Sequence, residues 1–285
     1  MSKKSEILKK IAAVPPLPEV VLKLREYCND ANVGYDKIAR VVERDPALTA
    51  SLLRLANSAY FGGAGTIASV QLAMTRLGLK RVYQMALTVS VAPLASFELS
   101  GYGLSPLQLW EHSLATAMTS EMLAEMTRGV DPADAYTSGL LHDMGKVVLS
   151  SYVDVDIADI ERVMEEKGMA FDEAEHDILG IDHAAIAGAL LQRWQIPGDV
   201  SDAVHWHHRP GKSERRQELP DVVHIADALC LNVGWGIGHD GMKYRLDENA
   251  ARRLGVDLAK GEVIVARVMM EMKEMMEQFM VPQEA

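Results

Sequence analysis

Alanine, leucine and methionine recur through most of this 285-residue chain at spacings of three and four, and aromatic residues make up only 6% of it. Side chains three and four apart share one face of a helix, whereas strands need alternation and favour β-branched and aromatic residues. The spacing predicts an all-α fold of packed helices. Asp45-Pro46, Ser105-Pro106 and Asp131-Pro132 each set a capping oxygen before a proline whose missing N–H costs nothing in a first turn, so each predicts a helix start. Ser105 with Gln108 and Asp131 with Asp134 add an acceptor at the third helical position, and Gly62-Gly63 and Gly168 stand where helices should stop. Helical segments are expected over 35–43, 47–56, 67–77 and 81–91.

Periodicity breaks between Ser96 and Ser105, which predicts a division into an N-terminal helical subdomain, 1–100, and a C-terminal one, 101–285. A chain this long buries most of its apolar surface without covalent staples. Its two cysteines, Cys28 and Cys230, give no disulfide framework, so a reducing compartment is expected. A formal charge of -11 repels a phosphate backbone and argues against sequence-independent binding to nucleic acid. The N-terminus shows no apolar signal core and no uncharged apolar run is long enough to cross a bilayer, so the expectation is a cytoplasmic protein without membrane association.

All nine histidines lie in the second part. A site built from imidazole is therefore confined there. Its centre is Leu140-Leu141-His142-Asp143-Met144-Gly145-Lys146, read as a continuation of the helix opened by Asp131-Pro132. His112 is expected on the helix after Ser105-Pro106, His183 at the start of another, His207-His208 at the end of a fourth, and Asp227 inside a fifth over 220–231. Neutral imidazole together with carboxylate suits Fe, Mn, Ni or Zn, and several helices each offering one or two ligands is how bundles build such sites. Lys146 follows Asp143 by three and His142 by four, so a shared helix face would let its ammonium steady a phosphate oxygen beside a metal.

In this order the set resembles the HD superfamily of metal-dependent phosphohydrolases, and more closely its HDOD branch. The stretches Trp110-Glu111-His112-Ser113, Gly139 to Lys146, Leu179-Gly180-Ile181-Asp182-His183-Ala184, Leu191 to Pro197 and Val204-His205-Trp206-His207-His208 carry the resemblance. Upstream, Pro16-Leu17-Pro18, Asp45-Pro46-Ala47-Leu48-Thr49, Leu55 to Tyr60 and Leu77-Gly78 agree with it, so it spans roughly residues 10 to 235. The resemblance implies one metal held by His112, His142, Asp143 and Asp227. It implies a second, as in the related HD-GYP phosphodiesterases, held by His183 and either His207 or His208, with Asp143 as the bridge and Lys146 as electrostatic helper. Those relatives follow the paired histidines with a glutamate and a Gly-Tyr-Pro loop, whereas this chain continues Arg209-Pro210-Gly211-Lys212. What the resemblance implies first is a regulatory HDOD module acting through protein partners in signalling. A metal-dependent phosphohydrolase or phosphodiesterase acting on a nucleotide is the alternative, and a helical scaffold without metal is the third reading.

His176, His205, His224 and His239 fall outside the matched positions and read as surface or core residues. Arg209, Lys212, Arg215 and Arg216 form a basic run that suits a phosphate-bearing ligand, or a solvated loop balanced by Glu214 and Glu218. Met269, Met270, Met272, Met275, Met276 and Met280 lie on a C-terminal helix over 263–280, fit either for packing or for an adaptable partner surface.

Overall fold

The computed structural model describes residues 3–28, 30, 32–62, 65–241 and 244–280. Among them there is no strand, only one isolated bridge between Leu99 and Leu104. The chain is all-α. Two compact units form: residues 1–15 with 94–266, and residues 16–93 with 267–285. The internal boundary lies at 93–94, and each unit takes in one terminal segment, 1–15 with 94–266 and 267–285 with 16–93.

After α1 (Lys3–Lys10), which belongs to the larger unit, the smaller unit comprises α2 (Glu19–Cys28), α3 (Tyr35–Val42), α4 (Pro46–Ala56), α5 (Val70–Leu77) and most of α6 (Leu79–Ala95). Asp45 caps α4 by accepting the Leu48 N–H at 2.9 Å, with Pro46 in the first turn as expected. α5 begins three residues later than predicted, because Ser69 takes the capping role from the Leu72 N–H. Gly62 sits past a turn rather than at a helix end, α4 having already stopped at Ala56, and Gly63 lies outside the described residues. Leu24, Ile38, Val42, Leu52, Leu55 and Met74 are buried together as its core. In the later part of the C-terminal helix, Met272 and Met275 are buried while Met269 and Met270 are exposed.

The larger unit is built around α7 (Gln108–Met126), whose residues from Leu109 to Ala124 are buried almost without break. A helix covered on all sides is a core helix, and its many Ala, Ser and Thr positions let neighbours come close. α8 (Pro132–Leu141) uses that closeness: a Cβ on Gly139 would stand 2.6 Å from the Thr116 carbonyl oxygen and 2.8 Å from Ala117 Cα. Asp131 caps α8 on the Ala133 N–H at 2.9 Å, as its sequence predicts. The Ser105-Pro106 start differs. α7 opens two residues later behind Leu107, which takes a left-handed conformation, and Ser105 donates its own N–H to Gln108 Oε1 at 2.6 Å instead of capping with its hydroxyl. α9 (Gly145–Lys167) ends on left-handed Gly168, as expected, and α10 (Phe171–Leu179), α11 (His183–Arg193), α12 (Gly198–His205) and α13 (Glu218–Asn232) close the unit around the histidines. Among the described residues, no helix is long and apolar enough to cross a membrane. Cys28 and Cys230 are both free thiols.

Candidate metal centre

His112, His142, Asp143, His183, His207, His208 and Asp227 all converge, and all but the half-buried His208 are buried. One correction concerns local structure. His142, Asp143 and Lys146 do not share one helix: α8 stops at Leu141, His142 to Met144 form a tight turn, and α9 begins at Gly145. The Lys146 N–H returns to the Asp143 carbonyl at 2.9 Å, three residues back, which closes that turn. A Cβ on Gly145 would stand 1.9 Å from the His183 carbonyl oxygen, so only glycine lets α9 start against α11. His207 and His208 likewise lie just beyond the C-cap of α12 rather than on it.

The imidazoles are oriented from behind. Nδ1 of His112 faces the Trp235 carbonyl at 3.0 Å, Nδ1 of His142 the Gly139 carbonyl at 2.7 Å, and Nδ1 of His207 the Val204 carbonyl at 2.7 Å. Nδ1 of His183 meets Glu175 Oε2 at 2.6 Å. A carbonyl or carboxylate only accepts, so each neutral ring carries its proton on Nδ1 and turns a bare Nε2 lone pair inward. His112 and His142 then face each other Nε2 to Nε2 at 3.2 Å, and His183 and His208 at 2.7 Å. Two lone pairs at the His112–His142 distance repel unless a proton or a metal ion lies between them, whereas a His183 ring protonated against Glu175 donates its Nε2–H to His208 Nε2.

Asp143 sits between the two groups. Its Oδ2 lies 3.2 Å from His142 Nε2 and 3.6 Å from His112 Nε2, and its Oδ1 lies 3.4 Å from His183 Nε2 and 3.9 Å from His207 Nε2. Asp227 Oδ1 stands 3.0 Å from His112 Nε2. Asp143 Oδ1 and His207 Nε2 are buried with no hydrogen-bond partner, a costly state for polar atoms in a dry interior. Two donor groups, His112 with His142 and Asp227, and His183 with His207 and His208, each gather ligand atoms within 4.8 Å of one another. Nitrogen and carboxylate donors at this closeness are compatible with a metal site.

Burial opposes the charged carboxylate of Asp143, yet His142 and Lys146 hold it well below the usual range. Burial also opposes protonation of His183, but the Glu175 carboxylate pushes it up to about 9. His207 has no such partner; burial and the neighbouring His142 hold it down at about 3, so its ring stays neutral. Lys146 donates to Asp143 Oδ2 at 2.5 Å and also to Asp240, and these two carboxylates outweigh burial and keep it charged.

Several residues of the site have no counterpart in the sequence motifs. Glu175 orients His183 and itself accepts from the Tyr102 hydroxyl. Asp240 takes Lys146, and the Tyr244 ring packs on His208 at 5.5 Å. The basic run is largely spent on acids: Arg209 pairs with Asp182 at 2.7 Å, and Arg215 and Arg216 with Asp199 at 3.2 and 3.3 Å. His224 is buried with Nδ1 on the His207 carbonyl at 2.7 Å, whereas His176 is exposed and His239 half-buried.

A helical unit whose buried core gathers an ordered His, His-Asp, His, His-His, Asp set defines a protein of the HD kind. The HDOD domain model matches residues 14–210, and the chain belongs to the HDOD family. An uncharacterised protein of Treponema pallidum (strain Nichols) is 28% identical over 225 residues, 78% of this chain and 43% of that protein, so this chain spans less than half of that relative's length. An HDOD domain protein of unknown function from Geobacter sulfurreducens superposes with a TM-score of 0.73 at 25% identity, covering 97% of this chain and 99% of that one. A Shewanella amazonensis SB2B protein, conjectured to be a phosphohydrolase, gives 0.71 at 23% identity over 95% and 97% of the two chains, a likeness of fold.

Proposed function

We propose that the protein is a cytoplasmic regulatory HDOD module that holds one or two divalent transition-metal ions, Fe, Mn, Ni or Zn, and passes a signal to a protein partner. The observation that carries this reading is the small cavity beside a complete ligand set. It encloses about 100 Å³, less than the 150 Å³ or so that holds a benzene molecule and well below the roughly 300–1,000 Å³ of ordinary ligand pockets. His112, His142 and Asp227 would hold one ion, His183, His207 and His208 the other, with Asp143 turned to both. Such ions supply an activated water and charge stabilisation of phosphoryl oxygens when bound.

A second reading is a metal-dependent phosphohydrolase or phosphodiesterase acting on a nucleotide. It is favoured by the Asp143 carboxylate facing both donor groups and by Lys146 at the cavity wall. In that reading Lys146 holds a phosphate oxygen and Asp143 keeps the two donor groups in register.

Metal analysis of tag-free protein is the first test. About one equivalent or more of a transition metal is expected, lost in a His142→Ala, Asp143→Ala double variant. A content below about a tenth of an equivalent after growth in metal-supplemented medium would sink both metal readings. The intact protein should then recover a specific protein partner in a pull-down and leave cyclic and linear nucleotides unchanged. Turnover that disappears in the double variant would favour the hydrolase instead.

A further inference from the structure

Two side chains that the metal reading does not use line the cavity beside the centre. Asp240 is only about one-tenth exposed; its Oδ2 takes Lys146, while its Oδ1 is buried with no hydrogen-bond partner. Lys146 already has Asp143 at 2.5 Å, so Asp240 is not needed to neutralise it. Burying an unsatisfied carboxylate oxygen costs stability, and that cost is set against the ion pair Asp240 makes with Lys146. Tyr244 lines the same cavity. Its ring stacks on His224 at 5.4 Å and meets His208 edge-on at 5.5 Å, and its hydroxyl reaches His224 Nδ1 at 3.0 Å. Arg245, next in the chain, holds the Gly168 carbonyl and lies 3.4 Å from Glu173.

Asp240, Tyr244 and Arg245 line the same cavity as Lys146, His183, His208 and Asp227. With them in place, about 100 Å³ suits a few waters or one small oxyanion and falls short of the roughly 150 Å³ that holds a benzene ring. We propose that Asp240 and Tyr244 are stoppers of the metal centre: they keep it closed to larger ligands and slow the passage of ions, and their release is what opens it. The proposal rests on the reading of the cluster as a metal site. A stopper differs from a ligand-positioning residue in kinetics. Removing a barrier speeds entry and exit alike and leaves affinity in place, whereas disturbing a ligand speeds exit alone.

The test uses the full chain stripped of metal, with Mn²⁺ or Zn²⁺ as the probe. Uptake rate, loss rate to EDTA and equilibrium affinity are measured for wild type, Tyr244→Ala, Tyr244→Phe and Asp240→Ala. Tyr244→Ala and Asp240→Ala are expected to speed both uptake and loss about tenfold while affinity shifts less than about threefold, and Tyr244→Phe to stay near wild type because the ring is the obstruction. Circular dichroism melting checks that each variant folds; if Tyr244→Ala does not, Asp240→Ala decides alone. Loss accelerated without uptake, or rates unchanged in a metal-binding protein, overturns the stoppers and leaves the metal site standing. A wild type that takes up no metal overturns both.

Discussion

Glu175 is fully buried, and a carboxylate is kept there only by the donors that reach it. Its Oε2 accepts the His183 backbone N–H at 3.0 Å and Nδ1 at 2.6 Å, and its Oε1 accepts from the Tyr102 hydroxyl. Partners of this kind fix the tautomer of a ligating histidine, and their loss typically weakens metal binding about 10- to 100-fold. Glu175→Gln should therefore weaken the ion held by His183, His207 and His208 by that factor and leave the one at His112, His142 and Asp227 near its original affinity. Competition titrations with a chromophoric chelator resolve the two; equal weakening of both, or of neither, would refute the role. Residues such as His112, His142-Asp143, His183 and Asp227 were legible because they stand in an ordered set of short patterns. Glu175, Tyr102, Asp240 and Tyr244 were not, since each acts as a single side chain brought in from a distant stretch with no local pattern to mark it.

At the level of elements, the spacing from His142 to Lys146 suggested one continuous helix face, and the break after Leu141 replaces it. Three- and four-residue spacing cannot distinguish a helix from a tight turn between two helices. What decides is tertiary: the His183 carbonyl lies where a Cβ at position 145 would go. The same limit explains α7, whose start Ser105-Pro106 misplaced by two residues, whereas Asp45-Pro46 and Asp131-Pro132 capped as read. Gly145→Ala is expected to cost about 3 kcal/mol and Gly139→Ala about 1–3 kcal/mol, since both drive a methyl into backbone that cannot yield. Gly34, with negative φ and no atom near its absent Cβ, is the control, and Gly34→Ala should stay within about 0.5 kcal/mol of wild type. Urea unfolding midpoints measure all three. Tolerance of Gly145→Ala would mean that α9 need not abut α11.

On the scale of the whole molecule, every candidate ligand belongs to the unit formed by residues 1–15 and 94–266, and none to the unit of residues 16–93 and 267–285. The ligands come from α7, the 142–143 turn, α11, the 207–208 turn and α13, so an ion there ties together elements far apart in the chain. Without a metal ion, those elements converge on closely spaced ring nitrogens and a carboxylate oxygen that lacks a donor. A ligand that binds only the folded state stabilises it by about 2.7 kcal/mol at a hundred times its dissociation constant. For a unit of this size, a loss of that amount corresponds to a midpoint lower by about 5–10 °C. Native-state hydrogen exchange locates the effect. Chelation should raise exchange at the slow amides of α7, α8 and α11 and leave α4 and α5 as they were, because the latter pack around their own apolar core of Leu52, Leu55 and Met74. If protection fell equally in both units, the ion would be stabilising the chain through something other than these seven side chains; if it fell in neither, the cluster would be holding itself together without metal.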